Sequence, residues 1–179
     1  MNSGKVILED KKFQLTLDRL CHELVENYGD FENTCLIGIQ DKGTLFSDRI
    51  MTHLNKLGVD KKIQYGKLDI TFHRDDFRRR DELLKPSRTE IDFIVEKKKV
   101  ILLDDVLYTG RTIQSAMAAL QQFGRPQSVE LMVFVDRRFN RHLPIQPNYV
   151  GITVDAINEA YVKVSWEGVG DRDEILFYD

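Results

Sequence analysis

Cysteine and proline are scarce in this 179-residue sequence, which contains 2 Cys and 4 Pro. Cys21 falls in a predicted helix and Cys35 at the start of a predicted strand, which favours reduced core residues over a disulfide framework or a metal site. No apolar run approaches the roughly 18 residues that a membrane-spanning helix needs, and the N-terminus lacks the apolar segment of a signal peptide. These absences predict a cytoplasmic protein that makes no membrane contact.

Positive charge is not in excess either, since 26 Lys and Arg face 29 Asp and Glu and the formal net charge is −3. The overall charge therefore does not favour nucleic acid, although a basic patch on one face stays compatible with it. His22, His53, His73 and His142 match no metal-binding spacing, and Ser115 lacks the Gly-x-Ser-x-Gly setting of a hydrolase nucleophile.

Strand-like and helix-like segments alternate along most of the chain. Strand patterns cover residues 34–39, 62–72, 100–104 and 128–135, and helical periodicity covers residues 13–28, 44–57 and 113–123. Shorter candidate strands lie at residues 6–8, 91–95, 149–153, 162–166 and 175–178. This alternation predicts right-handed β-α-β units, and hence an α/β fold with a mainly parallel sheet flanked by helices. We expect a single domain that spans residues 1–179.

One segment does not fit this alternation. Residues 73–98 are polar and irregular, and a connection of that length is usually a lid or a binding loop. We expect it to form a flexible hood, over about residues 68–98. The charge run at 73–81 could be a solvated face; we favour a functional role for Arg74 and leave both interpretations open for residues 78–80.

The most informative segment is 99–112 (KVILLDDVLYTGRT). A buried strand delivers Asp104 and Asp105 to its carboxyl end, where ligands bind in open α/β sheets. The backbone N–H groups of residues 109–112 open a helix, a position that favours phosphate. Because acids repel phosphate, the pair must contact ribose hydroxyls or Mg²⁺ on the same ligand. A ribose carrying a 5′-phosphate fits this layout; the simpler alternative is that the acids only cap the helix.

The same residues carry a resemblance to a known family. Segment 101–112 resembles the phosphoribosyl pyrophosphate (PRPP) signature of type I phosphoribosyltransferases, and its form DDVLYTGRT is similar to that of the PyrR family, bifunctional regulators of the pyrimidine operon and uracil phosphoribosyltransferases. Segments 37–43 (IGIQDKG), 68–76 (LDITFHRDD), 135–137 (VDR) and 143–145 (LPI) add to the likeness. It implies the type I phosphoribosyltransferase fold.

The resemblance implies a pentosyltransferase that makes UMP and pyrophosphate from uracil and PRPP, with Mg²⁺ as cofactor. Asp104 and Asp105 would be the catalytic acids, accepting hydrogen bonds from the ribose hydroxyls directly or through the metal. The implied ribose 5-phosphate site comprises Asp104, Asp105, Val106, Leu107, Tyr108, Thr109, Gly110, Arg111 and Thr112.

Two further loops follow from the resemblance. The implied pyrophosphate loop comprises Gln40, Asp41, Lys42 and Gly43, where glycine lets the backbone approach a phosphate; an ordinary turn is the alternative. The implied hood residues are Arg74, Asp75 and Asp76, closing over pyrophosphate to exclude water.

Base choice is indicated by Tyr108. Enzymes for 6-oxopurines carry an aspartate at this place, and a tyrosine is not an anion at neutral pH. This difference favours uracil over hypoxanthine or guanine. By resemblance, the base would meet Arg137 and the backbone near Val162.

The family's second activity is RNA binding by a basic face of a dimer, so the alternative function is a UMP-responsive RNA-binding regulator with weak catalysis. A homodimer or larger oligomer follows from the family alone. Here the sequence departs from the family at Asp41-Lys42, at segment 140–146 (NRHLPIQ) and near Asn158, where cations are missing. Each lost phosphate contact weakens RNA binding, although Arg137, Arg138 and Arg141 remain.

Overall fold

The computed structural model describes residues 4–59, 63–75, 86–156, 160–170 and 172–178. Its central feature is a sheet of five parallel strands in the spatial order β3-β2-β4-β5-β6. These strands are β2 (Thr34–Ile39), β3 (Gln64–Leu68), β4 (Lys99–Leu107), β5 (Ser128–Arg138) and β6 (Tyr149–Asp155). The predicted α/β fold with a mainly parallel sheet is confirmed.

Helices cover both faces of this sheet, which is why its central strands are almost continuously apolar. They are α1 (Asp10–Tyr28), α2 (Lys42–Lys56) and α3 (Arg111–Leu120), the last followed by a 3₁₀ turn (Gln121–Phe123). Helices α1 and α2 share one core with Leu36 and Leu103, whereas α3 packs against Ile37 and Leu102 on the opposite face. No helix within the described ranges is both long enough and apolar enough to span a membrane.

The two ends of the chain build a second sheet, which the sequence did not predict as a unit. Its antiparallel strands, in the order β1-β8-β7, are β1 (Lys5–Glu9), β7 (Tyr161–Ser165) and β8 (Glu174–Tyr178). Trp166, just after β7, joins this sheet to the main core, because its ring lies 5.3 Å from Phe13 and 5.5 Å from Phe134, centroid to centroid. Strand β7 also approaches β4.

Three predictions about the strands and the connection between β3 and β4 are wrong. Strand β3 ends at Leu68 rather than at residue 72, because the Asp69 side chain accepts the Thr71 N–H at 2.9 Å and starts a turn. Residues 91–95 form no strand; only Glu90 bridges to Lys67. Strand β4 continues to Leu107 rather than ending at residue 104, so Asp105 also lies inside the strand rather than after it.

Candidate active site

The site lies at the carboxyl edge of the parallel sheet, where β4 passes into α3. A cavity of about 640 Å³ opens there. Its lining combines one of the two acids, the turn that follows them and two residues of the β3–β4 connection: Arg74, Asp75, Asp104, Val106, Leu107, Tyr108, Thr109, Gly110, Arg111 and Thr112. The structure thus gathers most residues of the predicted ribose 5-phosphate site around one cavity.

The acid pair is buried, with 7% of each residue exposed. Its oxygens turn back onto the strand: Asp104 Oδ1 accepts the Asp105 N–H at 3.0 Å, and Asp105 Oδ1 accepts the Val106 N–H at 2.9 Å. Burial and repulsion by Asp105 raise the pKa of Asp104, against the charge of Arg74. Burial also raises the pKa of Asp105, against the charge of Lys42. Two such acids favour a cation or hydroxyl donors beside them.

The same acids decide what kind of metal site this edge could provide. Within the part of the chain that is described, no three His, Cys, Asp or Glu side chains form a metal cluster. Mg²⁺ is usually bound by one or two carboxylates together with water and substrate phosphates. Asp104 and Asp105 fit that arrangement and would hold the ion together with a phosphate-bearing ligand.

The turn after β4 is shaped by Gly110, whose φ of 89° lies in the left-handed region. Helix α3 therefore begins at Arg111, two residues before the predicted start. The guanidinium of Arg111 forms an ion pair with Asp75. This contact joins the turn to the β3–β4 connection, and both residues line the cavity.

Residues 40–43 form a second loop beside the acids, and the peptide bond between Gln40 and Asp41 is cis. A Cβ atom on Gly43 would lie 2.7 Å from the Leu103 carbonyl oxygen and 3.0 Å from Asp104 Oδ1. Only glycine fits this close approach to β4. Lys42 and Gly43 already belong to α2, so the helix begins before the predicted cap at Thr44.

Tyr108 and Arg137 stack on each other at the carboxyl ends of β4 and β5. The guanidinium carbon lies 3.8 Å from the ring centroid, with Arg137 only 5% exposed and Tyr108 40% exposed. The Val162 side chain, by contrast, is buried in the core shared with α1 and α2. Any base contact near Val162 is therefore left to its backbone.

Sequence reasoning missed the residues that hold these loops. Ser87 donates a hydrogen bond to Asp41 Oδ1 at 2.9 Å, and Gln40 donates one to the Arg88 carbonyl at 2.9 Å. Arg141, considered above only as an RNA contact, donates instead to the Tyr108 carbonyl. No local pattern marks these partners. The predicted residues Asp76, 78–80 and Asn158 lie outside the described residues.

Comparison with known proteins places the chain in a family. A sequence model of the phosphoribosyl transferase domain matches residues 3–167. The "Bifunctional protein PyrR" of Bacillus cereus is 38% identical over 183 aligned positions, which cover 100% of this chain and 99% of that protein. The PyrR of Bacillus mycoides is 37% identical with the same coverage. The chain belongs to the PyrR family of phosphoribosyltransferases.

Solved structures confirm the fold of this PyrR-family chain. The hypoxanthine phosphoribosyltransferase of Trypanosoma cruzi superposes with a TM-score of 0.73 at 14% identity, covering 98% of this chain and 97% of that one. A hypoxanthine phosphoribosyltransferase from Staphylococcus aureus gives 0.72 at 20% identity, covering 98% and 91%. At such identities the likeness concerns the fold alone. The predicted type I phosphoribosyltransferase fold is thereby confirmed, and the family is one of pentosyltransferases.

Proposed function

We propose that this protein is a uracil phosphoribosyltransferase, which transfers the ribosyl 5-phosphate of PRPP to uracil. In this reaction the bond from ribose C1 to the pyrophosphate oxygen breaks and a bond from C1 to uracil N1 forms. The N1 proton is released, and UMP and pyrophosphate are the products. The observation that carries the proposal is the buried acid pair just before a glycine turn and a helix start, with Asp104 and that turn lining one cavity.

The residues at this edge of the sheet divide the donor between them. Asp104 and Asp105 accept hydrogen bonds from the 2′- and 3′-hydroxyls of the ribose, and the turn at 108–112 holds the 5′-phosphate with its backbone N–H groups. Residues 40–43 take the pyrophosphate, whose charge Lys42 balances. Arg74 and Asp75 cover that end.

Positive charge builds on the ribose ring as the C1–O bond breaks, while negative charge builds on the leaving pyrophosphate. A fixed carboxylate pair stabilises the first, and cations and backbone N–H groups stabilise the second. Mg²⁺, held by the acids together with the donor, would supply further neutralisation of the pyrophosphate. Excluding water from the closed site protects PRPP from hydrolysis.

Uracil is the proposed acceptor because of Tyr108. The neutral phenol offers no anion for a purine ring, and the Arg137 guanidinium packed on the ring fixes its orientation. Fixed groups near Arg137 and the backbone at Val162 then pair with the uracil edge. Mixing the protein with Mg²⁺, PRPP and each free base in turn tests this choice. We expect nucleotide from uracil; product from purines only would refute the specificity, and no product with any base would refute the activity.

The acid role is tested by Asp105→Asn, which removes a charge but keeps the shape of the side chain. Loss of a charge-assisted hydrogen bond, worth about 1.5–3 kcal/mol, should lower kcat/KM for PRPP by roughly ten- to a hundred-fold. Asp92→Asn, at an exposed acid, serves as the matched control and should change nothing. An unaltered rate in Asp105→Asn would discard the role.

A second proposed function is RNA regulation, favoured by the likeness to relatives named bifunctional PyrR proteins. Two of the arginines that could contact RNA already bind carboxylates within the fold. Arg138 makes two hydrogen bonds to Asp155, at 2.7 and 2.9 Å, and Arg141 pairs with Asp136. We therefore rank this function second. Retention of a pyrimidine leader RNA at moderate salt, enhanced by UMP, would reverse the ranking. The homodimer or larger oligomer that the family implies is tested by sedimentation.

A further inference from the structure

The segment after β5 folds back against the outside of the 108–112 turn. This bracing segment, residues 139–145, leaves β5 at Phe139, whose φ is 74°. The His142 N–H donates to the Thr109 carbonyl at 3.0 Å, and the Leu143 N–H donates to the same oxygen at 3.3 Å. A Cβ atom on Gly110 would lie 3.2 Å from Ile145 Cδ1, so the glycine also packs against this segment.

Arg141 makes the most specific contact of the bracing segment. One guanidinium nitrogen donates to the Tyr108 carbonyl, and another donates to Asp136 Oδ1 at 2.5 Å. The side chains of Arg141 and Asp136 are only 22% and 13% exposed. Because Asp136 lies opposite Leu107 in the β4–β5 ladder, the guanidinium links the end of the sheet to the first peptide of the turn.

The planarity of the peptide group gives this link a consequence for the ligand. The C=O of one residue and the N–H of the next belong to one plane and point in opposite directions when the bond is trans. The Tyr108 carbonyl faces Arg141 and the Thr109 carbonyl faces His142 and Leu143. The N–H groups of Thr109 and Gly110 must then point away from the bracing segment, to the side where these residues line the cavity.

We propose that Arg141 is a positioning residue, which holds the Tyr108 carbonyl on the outer side of the turn so that the Thr109 amide faces the 5′-phosphate, beside the Gly110 amide that the backbone of the bracing segment orients. This inference rests on the proposed function only in taking the turn as the phosphate site. A rigid set of donors binds an anion better than a set that must first reorganise. Without Arg141, the Tyr108–Thr109 peptide is free to rotate, and one donor is lost for part of the time.

Calorimetry with two probes separates this role from general stability. Ribose 5-phosphate reports on the turn, and pyrophosphate reports on the loop at 40–43, each measured with Mg²⁺ on the full chain. In Arg141→Met we expect ribose 5-phosphate to bind about tenfold more weakly, equivalent to about 1.4 kcal/mol. Pyrophosphate binding should change less than about twofold.

Arg19→Met provides the matched control, because Arg19 also joins a carboxylate to backbone carbonyls. It bonds Glu23 at 2.6 Å and the Val150 and Gly151 carbonyls at 2.9 and 2.6 Å, near the amino end of β6. We expect a similar loss of Tm in both variants, with ribose 5-phosphate affinity kept in Arg19→Met. Arg141→Lys keeps the charge but lacks the planar fork that reaches two partners, so it should recover only part of the affinity.

Each result decides between the alternatives. If Arg141→Met binds ribose 5-phosphate as tightly as the wild type does, or loses affinity equally for ribose 5-phosphate and pyrophosphate, Arg141 is only structural and the inference fails. Full recovery in Arg141→Lys would also overturn it, since charge alone would then suffice. If Arg141→Met does not fold, Asp136→Asn takes its place, with a smaller loss in the same direction. A wild type that does not bind ribose 5-phosphate refutes both proposals, whereas binding without turnover of any base refutes only the proposed function.

Discussion

The two loops that flank the acid pair are built alike but held differently. Each one continues a central parallel strand into a helix, β4 into α3 and β2 into α2. The turn at 108–112 is held by a segment that directly continues the neighbouring strand β5. The loop at 40–43 is held by Ser87 and Arg88, which belong to the long β3–β4 connection.

Under the proposed function, the two ends of PRPP would therefore bind to loops that have different structural supports. The ribose 5-phosphate end is shaped by the sheet itself, so it should exist before any ligand binds. The pyrophosphate end depends on the same connection that supplies Arg74 and Asp75 to the cavity. Loss of the contacts that residues 40–43 make with Ser87 and Arg88, away from the Asp75–Arg111 ion pair, should therefore weaken pyrophosphate binding and spare ribose 5-phosphate, the reverse of the pattern expected for Arg141→Met.

The largest effect is expected at Gly43, where the two halves of the site touch. In Gly43→Ala the new methyl group would meet the Leu103 carbonyl at 2.7 Å, and backbone cannot easily move aside. A shift of about 1 Å between loop and acids is enough to cost roughly a hundredfold in kcat/KM. Overpacking should also lower the free energy of unfolding by about 1–3 kcal/mol, measured by urea denaturation.

Gly58→Ala is the control for Gly43→Ala. A Cβ atom there meets nothing within 4 Å, but its φ of 75° strains any side chain. We expect Gly58→Ala to lower the free energy of unfolding by about 1–2 kcal/mol and to leave kcat/KM unchanged. Wild-type kinetics in Gly43→Ala would show that the loop and the acid pair are not coupled.

The next substitution, Asp104→Asn, should have a smaller effect, lowering activity while raising stability. Asp104→Asn keeps an oxygen that can accept the Asp105 N–H, but it removes a carboxyl group whose ionisation is opposed by burial. We expect kcat/KM to fall roughly ten- to a hundred-fold while the free energy of unfolding at pH 7 rises by about 1–2 kcal/mol. The corresponding rise in Tm is about 2–8 °C.

The pH dependence of that gain follows from the raised pKa of Asp104. Because the folded state keeps a proton that the unfolded state releases, wild-type stability decreases as the pH rises from the ordinary value of 3.8 toward the raised one. The advantage of Asp104→Asn should therefore shrink as the pH falls toward 3.8. A variant less stable than the wild type at pH 7 would show that the carboxylate is well paired in the fold.

The sequence predicted those features whose residues are adjacent in the chain. Strand β2 was placed at its exact bounds, and the acids, turn and helix of 104–112 followed from one continuous segment. The end of β3 was missed because Ile70 is buried and continues the apolar alternation, while the Asp69 side chain redirects the backbone.

Long-range partners could not be predicted in the same way. Gln40 and Arg88 are 48 residues apart, Arg141 and Tyr108 are 33 apart, and β1 pairs with β8 from the other end of the chain. Such contacts carry no periodicity or turn chemistry. They depend on the sheet order, which brings the ends of neighbouring strands together.

The smallest predicted effect concerns Gln40, because its hydrogen bond to the Arg88 carbonyl is solvent-accessible and carries no charge. In Gln40→Ala we expect pyrophosphate to bind about two- to fivefold more weakly, as for a hydrogen bond of about 0.5–1 kcal/mol, with ribose 5-phosphate unaffected. Gln14→Ala is the control, since its amide bonds Asp173, away from the cavity-lining residues. Equal losses for both ligands in Gln40→Ala would mean that the two ends of the donor site share one support, and the distinction between the loops would not hold.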